Sequence, residues 1–111
     1  MTDWLETIPV AITVSDREGK IIEMNASSKQ VFGNFGGNDL IGRHLHNCHQ
    51  PASIVKMDEM LTSGSPNIYT IEKQGKKKLI FQSPWFQAGK AAGLIEISII
   101  LPQDMPHYVR D

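Results

Sequence analysis

The spacing of hydrophobic positions changes character along this chain, and the changes divide it into strands and helices. Val10, Ile12 and Val14 alternate with smaller or polar residues across Pro9 to Ser15, the two-residue period of a half-buried strand. Asp16, Arg17, Glu18 and Gly19 follow as turn formers, with the glycine placed to accept a positive φ, and Lys20 to Met24 resumes an apolar strand. The two strands are expected to close as a hairpin. Asn25 is placed to cap a short helix over Ala26 to Phe32, which Gly33 ends. From Asn34 to Gln50 the chain is first glycine-rich and then histidine-rich, a composition that suits only single helical turns and loops. Pro51 fits a first helical position, and Ile54, Met57 and Leu61 then recur at helical spacing with Lys56, Asp58 and Glu59 between them. That amphipathic helix stops at Ser63-Gly64-Ser65-Pro66.

Three further strands are expected at Asn67 to Lys73, Lys77 to Phe86 and Ala92 to Leu101. Gln74-Gly75 and Gln87-Ala88-Gly89 separate them as hairpin turns. In the last strand Ile95, Ile97, Ile99 and Leu101 share one face, Glu96 and Ser98 the other, so the apolar row is assigned to the core. The order is two strands, short helices, one longer helix and three antiparallel strands. This is an α+β plan: a five-stranded antiparallel sheet with the helices packed on one face. Residues 1–8 are expected to form a flanking helix or cap, residues 9–101 the domain, and residues 102–111 an extended tail.

Composition narrows the class. At 111 residues, 41% of them hydrophobic, the chain supports one domain, and a domain of this size buries roughly two thirds of its unfolded surface. The one cysteine, Cys48, excludes an intrachain disulfide and points to a reducing, cytoplasmic setting. No apolar run is long enough to span a bilayer. A formal net charge of -1 gives no general attraction to nucleic acid, and Lys76, Lys77 and Lys78 are read as a solvated hairpin tip.

Taken with that order, the run from Ile8-Pro9 through Asp16, Gly19, Asn25, Phe32 and Gly33, followed by Asp39-Leu40-Ile41-Gly42-Arg43, resembles the PAS domain family from about Pro9 to Leu101. The resemblance implies a PAS fold, with a sheet cupped around a pocket and the helices as its wall. It further implies sensing and signal transduction, of the kind bacterial regulators use, through small shifts of sheet, flanking helix or dimer partner. The expected function is a sensory module that binds a small molecule in its cup, dimerises, or both, to regulate a partner protein or an effector domain beyond this chain.

The chemistry candidates begin with His44-Leu45-His46-Asn47-Cys48-His49. His46, Cys48 and His49 could serve a metal, haem or flavin-bearing redox or gas sensor, the alternative function. Their spacing is too tight for easy convergence, and the preferred reading is Cys48 as a small buried hydrophobe and His49 as a turn former. Haem-binding members of the resembled family generally take their axial histidine from the main helix, and Ala52 to Leu61 has none. The light-oxygen-voltage branch carries Asn-Cys-Arg-Phe-Leu-Gln directly after Gly-Arg, whereas here Asn47-Cys48-His49-Gln50 comes later. No cofactor is therefore favoured.

Strand phase assigns Met24, Leu45, Cys48, His49, Ile54, Met57, Leu61, Tyr69, Phe81, Ser83, Trp85, Ile95 and Ile97 to the pocket. Ile80, Phe86 and Leu94 fall on the opposite phase, and Trp4, Leu5 and Ile8 have helical spacing that could cover them. Those six residues form the expected homodimer surface. A ligand-free dimerisation scaffold is a third reading. No acid-base carboxylate pair, nucleophile elbow, phosphate loop or kinase motif is present, and catalysis is not expected.

Overall fold

A computed structural model of the chain describes residues 1–33, 41–42 and 51–111. The element order is α1 (Asp3–Thr7), β1 (Ala11–Asp16), β2 (Ile21–Met24), α2 (Ala26–Val31), α3 (Pro51–Ser63), β3 (Asn67–Lys73), β4 (Lys76–Gln87) and β5 (Lys90–Ile100). The strands form one antiparallel sheet in the order β2-β1-β5-β4-β3. The chain's last strand thus lies at the centre, between the first hairpin and the second.

Local chemistry accounts for the connections. Asp16 accepts from the backbone N–H groups of Glu18 at 3.0 Å and Lys20 at 2.9 Å, which closes the β1–β2 turn around Gly19. Gln74-Gly75 and Ala88-Gly89 both have positive φ at the two central positions, at 53° and 76° and at 52° and 77°. This is the mirror-image turn whose twist matches that of paired strands. The second turn is one residue tighter than the sequence pattern predicts, so β4 and β5 run further toward it.

Helices α2 and α3 lie on the same sheet face. Small residues on β1, namely Ala11, Thr13 and Ser15, let α2 approach closely, and Thr13 Oγ1 and Ser28 Oγ share a hydrogen bond of 2.5 Å. Met57 and Met60 of α3 pack with Leu94 of β5, and Leu61 joins them at the edge. Ile21 and Met24 pack with Phe32 at the other end of the same face. Cross-strand partners such as Thr13↔Glu96↔Gln82↔Asn67 and Ala11↔Ser98↔Ile80↔Tyr69 share this face.

The other face carries Ile12↔Ile97↔Phe81↔Ile68 and Leu79↔Ile99. Within β4 and β5 sequence phase separates the two faces correctly but exchanges their roles, the apolar row of β5 pointing away from the helices, whereas Tyr69 of β3, grouped with Phe81 from sequence, faces the helices. Phe81, Ser83, Trp85, Ile95 and Ile97 lie on this outer face. Ile80 and Leu94, read as an outer surface, are 5% and 6% exposed on the helix side. The physical reason is that the helix side is not uniformly apolar. It combines small and hydrogen-bonded polar residues, whereas the outer face is apolar and only partly covered.

Two residues lock the sheet to its surroundings. Asn25, 0% exposed, caps α2 by accepting from Ser28 N at 3.0 Å and also accepts from Ile12 N at 2.9 Å. Its amide donates to Leu5 O at 2.9 Å and Val10 O at 2.7 Å, so one side chain ties α1, β1 and α2 together. Gly93 sits where a Cβ would collide with the Ser15 carbonyl and the Trp85 indole. That space lets Trp85 Nε1 cross β5 and donate to Ser15 O at 2.9 Å. Trp85 therefore braces three strands from the outer face.

Candidate site on the helix-facing side of the sheet

Between the C-terminal end of α2 and the sheet lies a cavity of about 170 Å³ lined by Ala11, Thr13, Val31, Phe32, Tyr69, Ile71, Lys73, Lys78, Ile80, Glu96 and Ser98. Its floor is laid by β1, β5, β4 and β3 in succession, so these four strands contribute alternate side chains to one surface. Apolar groups from Phe32, Val31, Ile71 and Ile80 form the sides.

A polar network crosses the floor. Asn67 Nδ2 donates to Gln82 Oε1 at 3.1 Å, and Gln82 Nε2 donates to Glu96 Oε2 at 3.2 Å and to the Tyr69 hydroxyl at 3.4 Å. Gln82 thereby uses its carbonyl and both amide hydrogens. Tyr69 keeps its own O–H free to donate, and Glu96 keeps further acceptor positions. Burial raises the Tyr69 phenol above its ordinary pKa, and the negative charge of Glu96 raises it further. The phenol is thus held neutral, as a hydrogen-bond donor.

Of the residues assigned to the pocket from sequence, Tyr69 stands in the cavity wall. Met24, Met57 and Leu61 belong to the two packed clusters on the same side of the sheet. Phe81, Ser83, Trp85, Ile95 and Ile97 are on the far side, as the register requires. Leu45, Cys48, His49 and His46 lie outside the described residues, as does the side chain of Ile54. Among the described residues no cluster of three or more His, Cys, Asp or Glu is arranged to hold a metal ion.

The surface candidates are also redistributed. Helix α1 packs against α2, leaving Trp4 67% exposed and Leu5 and Ile8 half-buried. It does not cover Ile80 or Leu94, which already lie under the helices. Phe86 is 56% exposed, close to Gly64 at the end of α3. Lys78 is half-buried in the cavity wall, not at a solvated hairpin tip with Lys76 and Lys77.

Sequence reasoning missed Thr13, Gln82, Glu96, Ser98 and Lys78, because polar residues in alternation were assigned to solvent. The available signal was size: Ala11, Thr13, Ser15 and Ser98 gather small side chains on one phase of adjacent central strands, and small residues mark where another element approaches a sheet closely.

Comparison with known proteins agrees with this architecture. A family model described as the PAS domain matches residues 9–87. Among solved structures, a PAS domain from Colwellia psychrerythraea is 20% identical with a TM-score of 0.64, covering 86% of this chain and 89% of its own. A sensory box sensor histidine kinase from Vibrio cholerae is 14% identical with a TM-score of 0.66, covering 90% and 88%. The Aer2 receptor of Vibrio cholerae, described as a dual PAS-heme oxygen sensor, is 13% identical with a TM-score of 0.65, covering 84% and 95%. At these identities the likeness is one of fold. No curated protein matches the chain.

Proposed function

This chain belongs to the PAS domain family, and we propose that it is a sensory module that takes a small molecule between its sheet and α2 and passes a conformational bias to a partner. The observation that carries this reading is the cavity over the helix-facing side, whose polar floor is built into the strands while the C-terminal end of the six-residue helix α2, at Val31 and Phe32, closes one side. Ligand groups held by a rigid sheet and touched by a short helix couple occupancy to the position of that helix. Asn25 extends the coupling, since it joins α2 to α1 and to β1 through the side chain described above.

The outer face supplies the output surface in this reading. Ile68, Phe81, Ile97 and Ile12 form a continuous apolar row across four strands, from Ile68, 56% exposed at the sheet edge, through the half-buried Phe81 and Ile97 to the buried Ile12. A second copy of the chain is the proposed occupant, with the role of the module regulatory and not catalytic. Among the described residues no helix is long and apolar enough to cross a membrane.

The test is native mass spectrometry of the protein purified from cells, followed by thermal-shift screening against small metabolites and an absorption spectrum. Retained ligand mass, or a raised melting temperature with a defined compound class, is expected. Bare mass with no stabilisation by any compound would contradict ligand sensing. Sedimentation of wild type and Phe81→Glu tests the output surface, with a dimer expected for the first and a monomer for the second.

A further inference from the structure

Resting on the reading of the cavity as a ligand site, we infer that the ligand is a small molecule of the amino-acid class, its amine held by Glu96 and its carboxylate turned toward Lys78 and Lys73.

The cavity holds an unbalanced charge. Glu96 stands on the central strand with its carboxylate in the cavity, and its neighbours across the sheet are Thr13 and Gln82. Gln82 donates one neutral hydrogen bond to it. Thr13 is engaged with Ser28. Among the described residues no Lys, Arg or His lies within ion-pair distance of Glu96; the pairs present are Met1 with Glu23 and Lys56 with Glu59. A half-buried carboxylate with open acceptor positions is satisfied best by a cation that also donates hydrogen bonds, because charge-assisted bonds are the stronger kind. A primary ammonium group meets both conditions.

The remaining polar groups fix the other end. Lys78 and Lys73 line the same cavity from β4 and β3, also without a carboxylate partner among the described residues. The neutral Tyr69 hydroxyl retains its proton to donate. A ligand carboxylate is the complement of two ammonium groups and a phenol. Ile80, Ile71, Val31 and Phe32 leave an apolar wall for a hydrocarbon side group. Size agrees: at roughly 30 Å³ of liquid volume per water-sized group, the cavity holds on the order of six non-hydrogen atoms, the scale of a small aliphatic amino acid.

The test is calorimetric titration of the whole chain with the common amino acids and with two truncated analogues of alanine, propanoate, which lacks the amine, and ethylamine, which lacks the carboxylate. At least one amino acid is expected to bind, Glu96→Gln to weaken it roughly ten- to hundredfold, and Lys78→Met to weaken the amino acid but not the amine. Tighter or equal binding of amine-free acids, or an affinity indifferent to Glu96→Gln, would overturn the assignment while leaving the cup as a ligand site. Absence of binding by every amine-bearing compound, together with a full metabolite screen that also fails, would take the cavity reading down with it. The analogue comparison is made on wild type, so the inference stays decidable even if a variant folds poorly.

Discussion

The two faces of the sheet obey different rules. Toward the helices, small side chains, a hydrogen-bonded polar row and a few buried apolar groups leave a shaped cavity. On the far side, isoleucines and aromatics form an apolar surface that is only partly covered. The more hydrophobic face is thus not the one that packs against the helices. The fully buried polar atoms are all paired: among the described residues, no buried side-chain nitrogen or oxygen lacks a hydrogen-bond partner. A face that must both receive helices and admit a polar ligand cannot be filled with large hydrocarbon groups. A face that meets another apolar surface can.

This contrast can be broken most severely at Asn25. Asn25→Ala leaves two buried N–H groups and two carbonyls without their partner and removes the α2 cap, for an expected loss of about 4 kcal/mol in urea unfolding. A loss below about 1 kcal/mol would remove Asn25 as the link between α1 and the cup. The next effect compares a buried isoleucine of the helix-facing side with an exposed one of the outer face at the sheet edge. Ile80→Ala, at 5% exposure on the helix side, is expected to cost about 3 kcal/mol, while Ile68→Ala, at 56% exposure outside, is expected to cost less than about 1 kcal/mol. Equal losses would mean that Ile68 is covered as completely as Ile80. Gly93→Ala forces the Ser15 carbonyl and the Trp85 indole apart and is expected to cost about 2 kcal/mol, with a shift in tryptophan fluorescence that an unrelated destabilisation would not give.

The smallest effect is on alkaline stability. The folded Tyr69 phenol holds its proton more tightly than the unfolded one, so between the two pKa values the native state binds more protons. Stability therefore falls as pH rises above the unfolded tyrosine value, and it is unaffected below it. Denaturation measured at neutral and at strongly alkaline pH should show this fall, and Tyr69→Phe should shrink it.

Most of the fold was legible in the sequence. Hairpin turns, the Asn25 cap and the apolar spacing of α3 each act locally, and the observed elements match those predicted to within a few residues at their ends. The cup was legible in outline and misread in detail, because period-two alternation identifies two faces without saying which one is inside. Ile95, Ile97 and Phe81 looked like core by hydrophobicity. Glu96, Gln82 and Thr13 looked like surface by polarity. Their pairing depends on strand order β1-β5-β4-β3, which brings residues far apart in the chain side by side, and no local pattern carries that information.

The central claim, that the helix-facing side is the sensing side, is tested most directly by methyl nuclear magnetic resonance on the whole chain during titration with the common amino acids. The account predicts that the signals of Ala11, Val31, Ile71 and Ile80 move with ligand while those of Leu79, Ile95, Ile97 and Ile99 change little. Movement concentrated in the second set, with the first unmoved, would contradict it.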